Sequence, residues 1–168
     1  YTFTAYPFLK HKVKIKWADI DFKTRVVTLK TIKSKITKNT KAIIVVHLYG
    51  YAAEIDKIKI YCKKNKIILI EDVAQAIGTK LNKQYTGTFG DFSIFSFHSH
   101  KNISTLGEGG MLVVNNSKYE TNLIRMIRHN GHTKFNFRRK NYWQPAMSNV
   151  DTPVLDNKLI MPNNYCIS

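Results

Sequence analysis

Two short apolar runs separated by one excursion constrain this chain more than anything else in it. The first, Ile67-Ile68-Leu69-Ile70, runs straight into Glu71-Asp72, with Gln75 close behind. The second, Phe92-Ser93-Ile94-Phe95-Ser96-Phe97, leads into His98-Ser99-His100-Lys101-Asn102 and then the glycine-rich Gly107-Glu108-Gly109-Gly110. A continuous apolar run of strand length such as Ile67 to Ile70 suits a buried strand, as in a parallel sheet covered by helices, and Phe92 to Phe97 reads as a further strand. Ala42 to Leu48 is a third such run, closed by Gly50.

Helical periodicity separates the runs. Glu54 to Lys66 places Ile55, Ile58 and Cys62 or Tyr61 on one side, and Thr28 is positioned to cap a short helix with Leu29, Ile32 and Ile36 inward. Ser117 is expected to cap a further helix reaching about His129, with Leu123, Ile124 and Ile127 apolar. Val13 to Ile20 alternates as a strand, Val13, Ile15 and Trp17 against Lys14 and Lys16. A turn is expected at Thr86-Gly87, and Met111 to Val114 reads as a last strand. The β-α-β spacing predicts right-handed crossovers and a three-layer α/β/α fold with a mostly parallel sheet. Residues 1–130 are assigned to this large domain. Residues 131–168, where periodicity dissolves among Pro145, Pro153 and Pro162, form an irregular substrate-side or interface segment.

Composition bounds the function. The chain has 168 residues, 43% hydrophobic and 12% aromatic, enough for a sizeable core. Its net charge of +16 invites a nucleic-acid partner. The lysines are dispersed, however, and Lys57, Lys59, Lys63 and Lys64 fall on what would be the outer face of a helix. Only Lys134 to Trp143 interleaves basic and aromatic residues, so no nucleic-acid partner is expected. Cys62 and Cys166 lack disulfide or metal spacing, which points to a reducing, cytoplasmic setting and to no metal. No apolar run reaches the ~20 residues that span a membrane.

In open parallel sheets, ligands bind beyond the carboxyl ends of the strands. Asp72 and Lys101 both fall there, so they can converge. A lysine amine and a carboxylate so placed are what pyridoxal phosphate requires: the amine for a Schiff base, the carboxylate to keep the pyridine nitrogen protonated. Each alone has a plainer explanation, Asp72 as a turn cap and Lys101 as a solvated side chain. Gln75, Ser96 and the glycine-rich turn strengthen the pair. His98 and His100 flank Lys101 without an acidic or thiolate partner at ligand spacing, so substrate positioning or packing is expected of them.

The same residues carry a family resemblance. Glu71-Asp72-Val73-Ala74-Gln75-Ala76-Ile77-Gly78, Gly87-Thr88-Phe89-Gly90-Asp91, Phe95-Ser96-Phe97-His98-Ser99-His100-Lys101-Asn102 and Gly107-Glu108-Gly109-Gly110 closely resemble the nucleotide-sugar aminotransferases. These are the DegT/DnrJ branch of the aspartate aminotransferase superfamily, pyridoxal phosphate fold type I. Asp19-Ile20-Asp21, Thr40-Lys41-Ala42-Ile43-Ile44, His47-Leu48-Tyr49-Gly50 and Arg128-His129-Asn130-Gly131 agree. The resemblance implies Lys101 as the Schiff-base lysine and Asp72 as partner of the pyridine nitrogen. Gln75 falls beside the ring near its phenolic oxygen, and Ser96 contacts the cofactor phosphate. Phe3 falls where the family stacks an aromatic ring on the pyridine, although a core aromatic fits it equally well. Asn164 falls in a segment reaching the phosphate of a neighbouring subunit, with Cys166 where many relatives carry a basic or amide residue. Glu108 is expected to orient the loop near the lysine, and His98, Arg138 and Arg139 to meet substrate.

The implied activity is amination of a nucleotide-linked keto-sugar, with glutamate as amino donor, in a homodimer. A sugar dehydratase of the same fold replaces the lysine with histidine, so Lys101 disfavours it. The family's glycine-threonine phosphate turn and its C-terminal domain are expected beyond the two ends, making this an internal piece of a longer protein or an inactive truncated one. Between Ala5 and Asp19 the chain is shorter than the family pattern, and Pro7 is expected to start or break the helix there.

Overall fold

The computed structural model describes residues 2–9, 11, 13–119 and 121–128. The chain divides into two units, residues 1–116 and 117–168.

The first unit opens with helix α1 (Thr2–Leu9), which continues through Pro7 rather than starting or breaking there. Within so short a helix, proline forfeits a single intrahelical bond, and the helix ends shortly afterwards. Residues 13–20 are irregular, not the strand their alternation predicts. Alternation says which face of a strand would be apolar, but a strand exists only where a neighbour supplies N–H and C=O groups. Among the described residues no strand pairs with this segment, and Trp17 is left 69% exposed.

Thr28 caps helix α2 (Leu29–Lys33) as expected. Its hydroxyl accepts from the Thr31 N–H at 3.3 Å while the Thr31 hydroxyl accepts from the Thr28 N–H at 3.0 Å, a reciprocal box with threonine in the place usually held by Glu or Gln. Strand β1 (Ala42–Val46) follows, then a single 3-10 turn over Leu48–Gly50 and helix α3 (Ile55–Asn65). Helix α3 buries Ile55, Ile58 and Cys62, and exposes Lys57, Lys59, Lys63 and Lys64. Much of the basic charge of this segment is therefore a solvated face. Burial pushes the Cys62 thiol up to about 11, with the Asp91 charge adding to it, so this cysteine packs as a small apolar side chain.

Strand β2 (Ile68–Asp72) leads to the two-stranded hairpin of β3 (Lys80–Leu81) and β4 (Gln84–Tyr85). The hairpin reverses at Asn82-Lys83, both with positive φ, and the expected turn at Thr86-Gly87 follows β4, with Gly87 at a φ of 90°. Two left-handed residues match the twist of a tight hairpin, and asparagine tolerates that conformation well. Strands β5 (Phe92–Ser96) and β6 (Gly110–Val114) complete the main sheet, whose order is β1-β2-β5-β6. β1 and β2, and β2 and β5, are parallel; β5 and β6 are antiparallel.

Ile43, Val45 and Leu69 on one sheet face pack with Ile55, Ile58 and Cys62 of α3 and with Ile32 of α2 into the core. The opposite face is more open: Ile94 and its register partner Leu112 are 43% and 47% exposed.

In the second unit, helix α4 spans Thr121–Arg128. Ser117 lies in a turn ahead of it rather than at its cap, and Leu123 and Ile124 are half-buried. His129 and the whole of 131–168, with Arg138, Arg139, Asn164 and Cys166, lie outside the described residues. Among the described residues no helix is long and apolar enough to cross a membrane.

Candidate active site at the carboxyl edge of the sheet

Strand register assembles the site. Asp72 pairs in register with Val46 on one side and Ile94 on the other, at the carboxyl ends of three parallel strands. Alternation sends Glu71 and Asp72 to opposite faces. Glu71 faces the core side with its partner Ser93, whose hydroxyl lies 3.4 Å from Glu71 Oε1. Asp72 therefore shares a face with Ile94 and with Ser96, which stands about 7 Å further along its strand.

Asp72 is 8% exposed. Its Oδ1 accepts from the Ala74 N–H at 3.1 Å and its Oδ2 from the Thr4 hydroxyl at 2.8 Å. The Ala74 bond is the turn cap anticipated for an aspartate here; the Thr4 bond was not legible in the sequence. Because Thr4 belongs to α1, that bond draws α1 to the end of β2. Phe3, its neighbour in α1, is 67% exposed and sits at a ring-centroid distance of 6.4 Å from Tyr6. In this structure it is not a core aromatic.

Gln75 is anchored through its Oε1, which accepts from the Tyr49 N–H at 3.1 Å. With the oxygen so held, the amide NH2 is the end left to donate. Tyr49 adopts a left-handed conformation to present that N–H, with φ of 51°. The Ser96 hydroxyl lies 3.5 Å from the His98 N–H.

Lys101 sits half-buried in the loop that joins β5 to β6, its N–H bonded to the His98 carbonyl at 2.9 Å. The neck of this loop is closed by the Phe97 N–H to the Gly109 carbonyl at 2.7 Å and the Thr105 N–H to the Phe97 carbonyl at 3.1 Å. At Gly109 a Cβ would collide with the Thr105 side chain, so the close approach requires glycine. His98 spans the loop: its Nδ1 accepts from the His100 N–H at 3.0 Å, and its Nε2 meets Glu108 Oε1 at 3.2 Å. An Nδ1 that accepts leaves the proton on Nε2, aimed at Glu108. Both ring nitrogens are engaged within the loop, which makes His98 and Glu108 a brace beside Lys101. Among the described residues no group of three or more His, Cys, Asp or Glu side chains could hold a metal ion.

Beneath Asp72 lies a buried cluster for which sequence reasoning found no role. Glu71 is wholly buried and accepts from the N–H groups of Gly87 at 2.8 Å, Phe89 at 2.7 Å and Gly90 at 2.6 Å. It also accepts from His47 Nε2 at 3.1 Å, while His47 Nδ1 accepts from the Ala53 N–H at 3.1 Å. Burial on its own would raise the Glu71 carboxyl, but the His47 bond and the Gly87 and Gly90 N–H groups outweigh it and hold the group below its ordinary value. Gly90 has no room for a Cβ, which would lie 2.8 Å from the Phe92 carbonyl oxygen and 2.9 Å from that of Leu69. Glu71 thus ties the 87–90 turn and the 47–53 connection, which carries Tyr49, to the strand that ends in Asp72.

Comparison with known proteins gives a consistent result. The DegT/DnrJ/EryC1/StrS aminotransferase family model matches residues 1–156. GDP-perosamine synthase of Vibrio cholerae is 46% identical over 99 residues, covering 59% of this chain and 27% of that protein. The Helicobacter pylori aminotransferase PseC, involved in pseudaminic acid biosynthesis, superposes with a TM-score of 0.72 at 29% identity, over 81% of this chain and 36% of that one. GDP-4-keto-6-deoxymannose-3-dehydratase with a trapped PLP-glutamate geminal diamine gives 0.72 at 32% identity, over 79% and 34%. The chain therefore spans roughly a third of the length of these relatives.

Proposed function

The chain belongs to the DegT/DnrJ/EryC1/StrS aminotransferase family, and on that footing we propose that the protein carrying it transfers an amino group from glutamate to a ketone of a nucleotide-linked sugar, with pyridoxal phosphate as cofactor. The observation that carries this reading is the placement of Asp72 and Ser96 on one face at the carboxyl edge of the sheet, with Lys101 in the loop that follows Ser96. The donor set fits the cofactor: a buried carboxylate with lone pairs to spare, a hydroxyl, an amide NH2 and a lysine in a braced loop.

When bound, pyridoxal phosphate supplies an electron sink for the pair released as a proton leaves the amine-bearing carbon. Asp72 would hold the pyridine nitrogen protonated, Ser96 would donate to the phosphate, Gln75 would donate its NH2 to the phenolic oxygen, and Phe3 would be the aromatic beside the ring. Lys101 Nζ would tether the cofactor, and its amine would be the base that moves a proton at the substrate carbon, work of a kind that contributes about 10²–10⁴-fold. Asn164 would serve the phosphate site of the other subunit of a homodimer, and the enzyme would work in the cytoplasm. A dehydratase is the alternative raised by the neighbouring folds, and the lysine at position 101 favours amino transfer over it.

The test is stoichiometric. Protein loaded with pyridoxal phosphate should release one equivalent of 2-oxoglutarate from glutamate, leave the cofactor in its amine form, and return it to the aldehyde form on addition of a nucleotide-linked keto-sugar. Loaded protein that releases no 2-oxoglutarate, or whose amine form is not discharged by any of a panel of such sugars, would overturn the reading.

Arg138 and Arg139 are proposed to clamp the substrate diphosphate, because guanidinium donors pair bidentately with phosphate. Replacing both with Ala should raise KM for the nucleotide-sugar at least about ten-fold and leave the glutamate half-reaction within about two-fold. Unchanged sugar kinetics with a loss of salt-dependent affinity for DNA or RNA would assign the segment to nucleic acid instead.

A further inference from the structure

Thr4 touches the side chain on which the electron-sink chemistry depends. Its hydroxyl donates to Asp72 Oδ2 at 2.8 Å, and the Ala74 N–H donates to Oδ1 at 3.1 Å. One donor on each oxygen fixes the plane of a carboxylate whose last torsion is otherwise broad. The two donors differ in kind. Ala74 lies within the turn that leaves β2, so its bond comes with the local backbone. Thr4 comes from α1, 68 positions earlier in the chain, and reaches Asp72 only because α1 is seated there. Each carboxylate oxygen keeps a lone pair after accepting one bond, so a group so oriented can still receive a third donor.

We propose that Thr4 is a positioning residue, its hydroxyl setting the plane of the Asp72 carboxylate so that an oxygen faces the pyridine nitrogen of the bound cofactor. This rests on the cofactor reading above. A hydroxyl bonded to a charged group that is buried away from water is worth more than one at the surface. Losing it frees the carboxylate to turn away from the ring nitrogen. The effect should therefore depend on that nitrogen, whereas a bond that merely fastens α1 would act on any ligand of the same shape.

The experiment uses the whole natural chain and equilibrium binding of two ligands: pyridoxal phosphate and its carbocyclic analogue with C–H in place of the ring nitrogen. Thr4→Val, which keeps the shape and removes the hydroxyl, should weaken pyridoxal phosphate binding about ten-fold. It should leave the affinity for the analogue unchanged. Thr4→Ser, which restores the donor, should bind both ligands as the unmodified protein does. Equal loss for the two ligands in Thr4→Val, or no loss for either, would overturn the proposal and leave Thr4 as a fastener of α1. Failure of the unmodified protein to bind either ligand would instead bring down the cofactor reading, and the proposal with it.

Discussion

Asp72→Asn is expected to leave the protein folded and to slow amino transfer by about 10²–10³-fold, the size of effect seen when a preorganised electrostatic partner is removed. The substitution keeps volume and leaves an oxygen able to accept one of the two bonds that Asp72 makes to Thr4 and Ala74. It removes the negative charge. Without that charge the ring nitrogen loses its proton, and a neutral pyridine is a poor sink for the electron pair. Asp72→Ala should be at least as damaging to rate and should also release α1 from the end of β2. Both half-reactions should slow together, since both need the sink. Either variant transaminating near the unmodified rate would reduce Asp72 to a cap on its own turn.

Glu71→Ala should act on folding before it acts on chemistry, costing about 3–5 kcal/mol. The carboxylate is wholly buried and accepts from three backbone N–H groups and His47. Removing it strands those donors away from water, at about 1–3 kcal/mol for each that finds no other partner. Domains of this kind have only about 5–15 kcal/mol in all. Glu71→Gln fills the space but turns an NH2 toward at least one of those donors, so it should recover only part of the loss. Chemical denaturation of the two variants measures this, and unchanged midpoints would contradict it. The pH dependence has a defined sign. The folded-state value of Glu71 lies below its ordinary 4.5, so between the two values the unfolded chain binds more protons. The stabilisation is complete above 4.5 and is lost as pH falls through the depressed value. Glu71→Gln should flatten that acid limb of the stability curve.

Much of the sheet was legible because its signal is local. Continuous apolar runs marked β1, β2 and β5, and the spacing of Ile55, Ile58 and Cys62 marked the buried side of α3. Where a strand needs a partner, pattern alone misleads: Val13 to Ile20 alternates correctly and still makes no ladder. The turn at Thr86-Gly87 was legible from its glycine, whereas the hairpin reversal at Asn82-Lys83 has no glycine and shows in the sequence only as an asparagine that tolerates left-handed backbone. Within the site, Asp72 and Ser96 were recoverable from their places at strand ends. Glu71 could have been found too. A carboxylate one residue from Asp72 must point to the other face, which is the core, and a buried carboxylate needs donors. His47, just past β1 on the same side, was the candidate at hand. Thr4 was harder to find: the resemblance put its neighbour Phe3 beside the pyridine ring, but no local pattern singles out the Thr4 hydroxyl as a partner of Asp72.

Everything proposed for the site depends on Lys101 being the residue that tethers the cofactor. Borohydride reduction of the protein loaded with pyridoxal phosphate, followed by peptide mapping, tests it most directly. A single pyridoxyl label is expected, on Lys101, and no covalent label after Lys101→Ala. A label on any other lysine, with Lys101→Ala still binding the cofactor covalently, would contradict it.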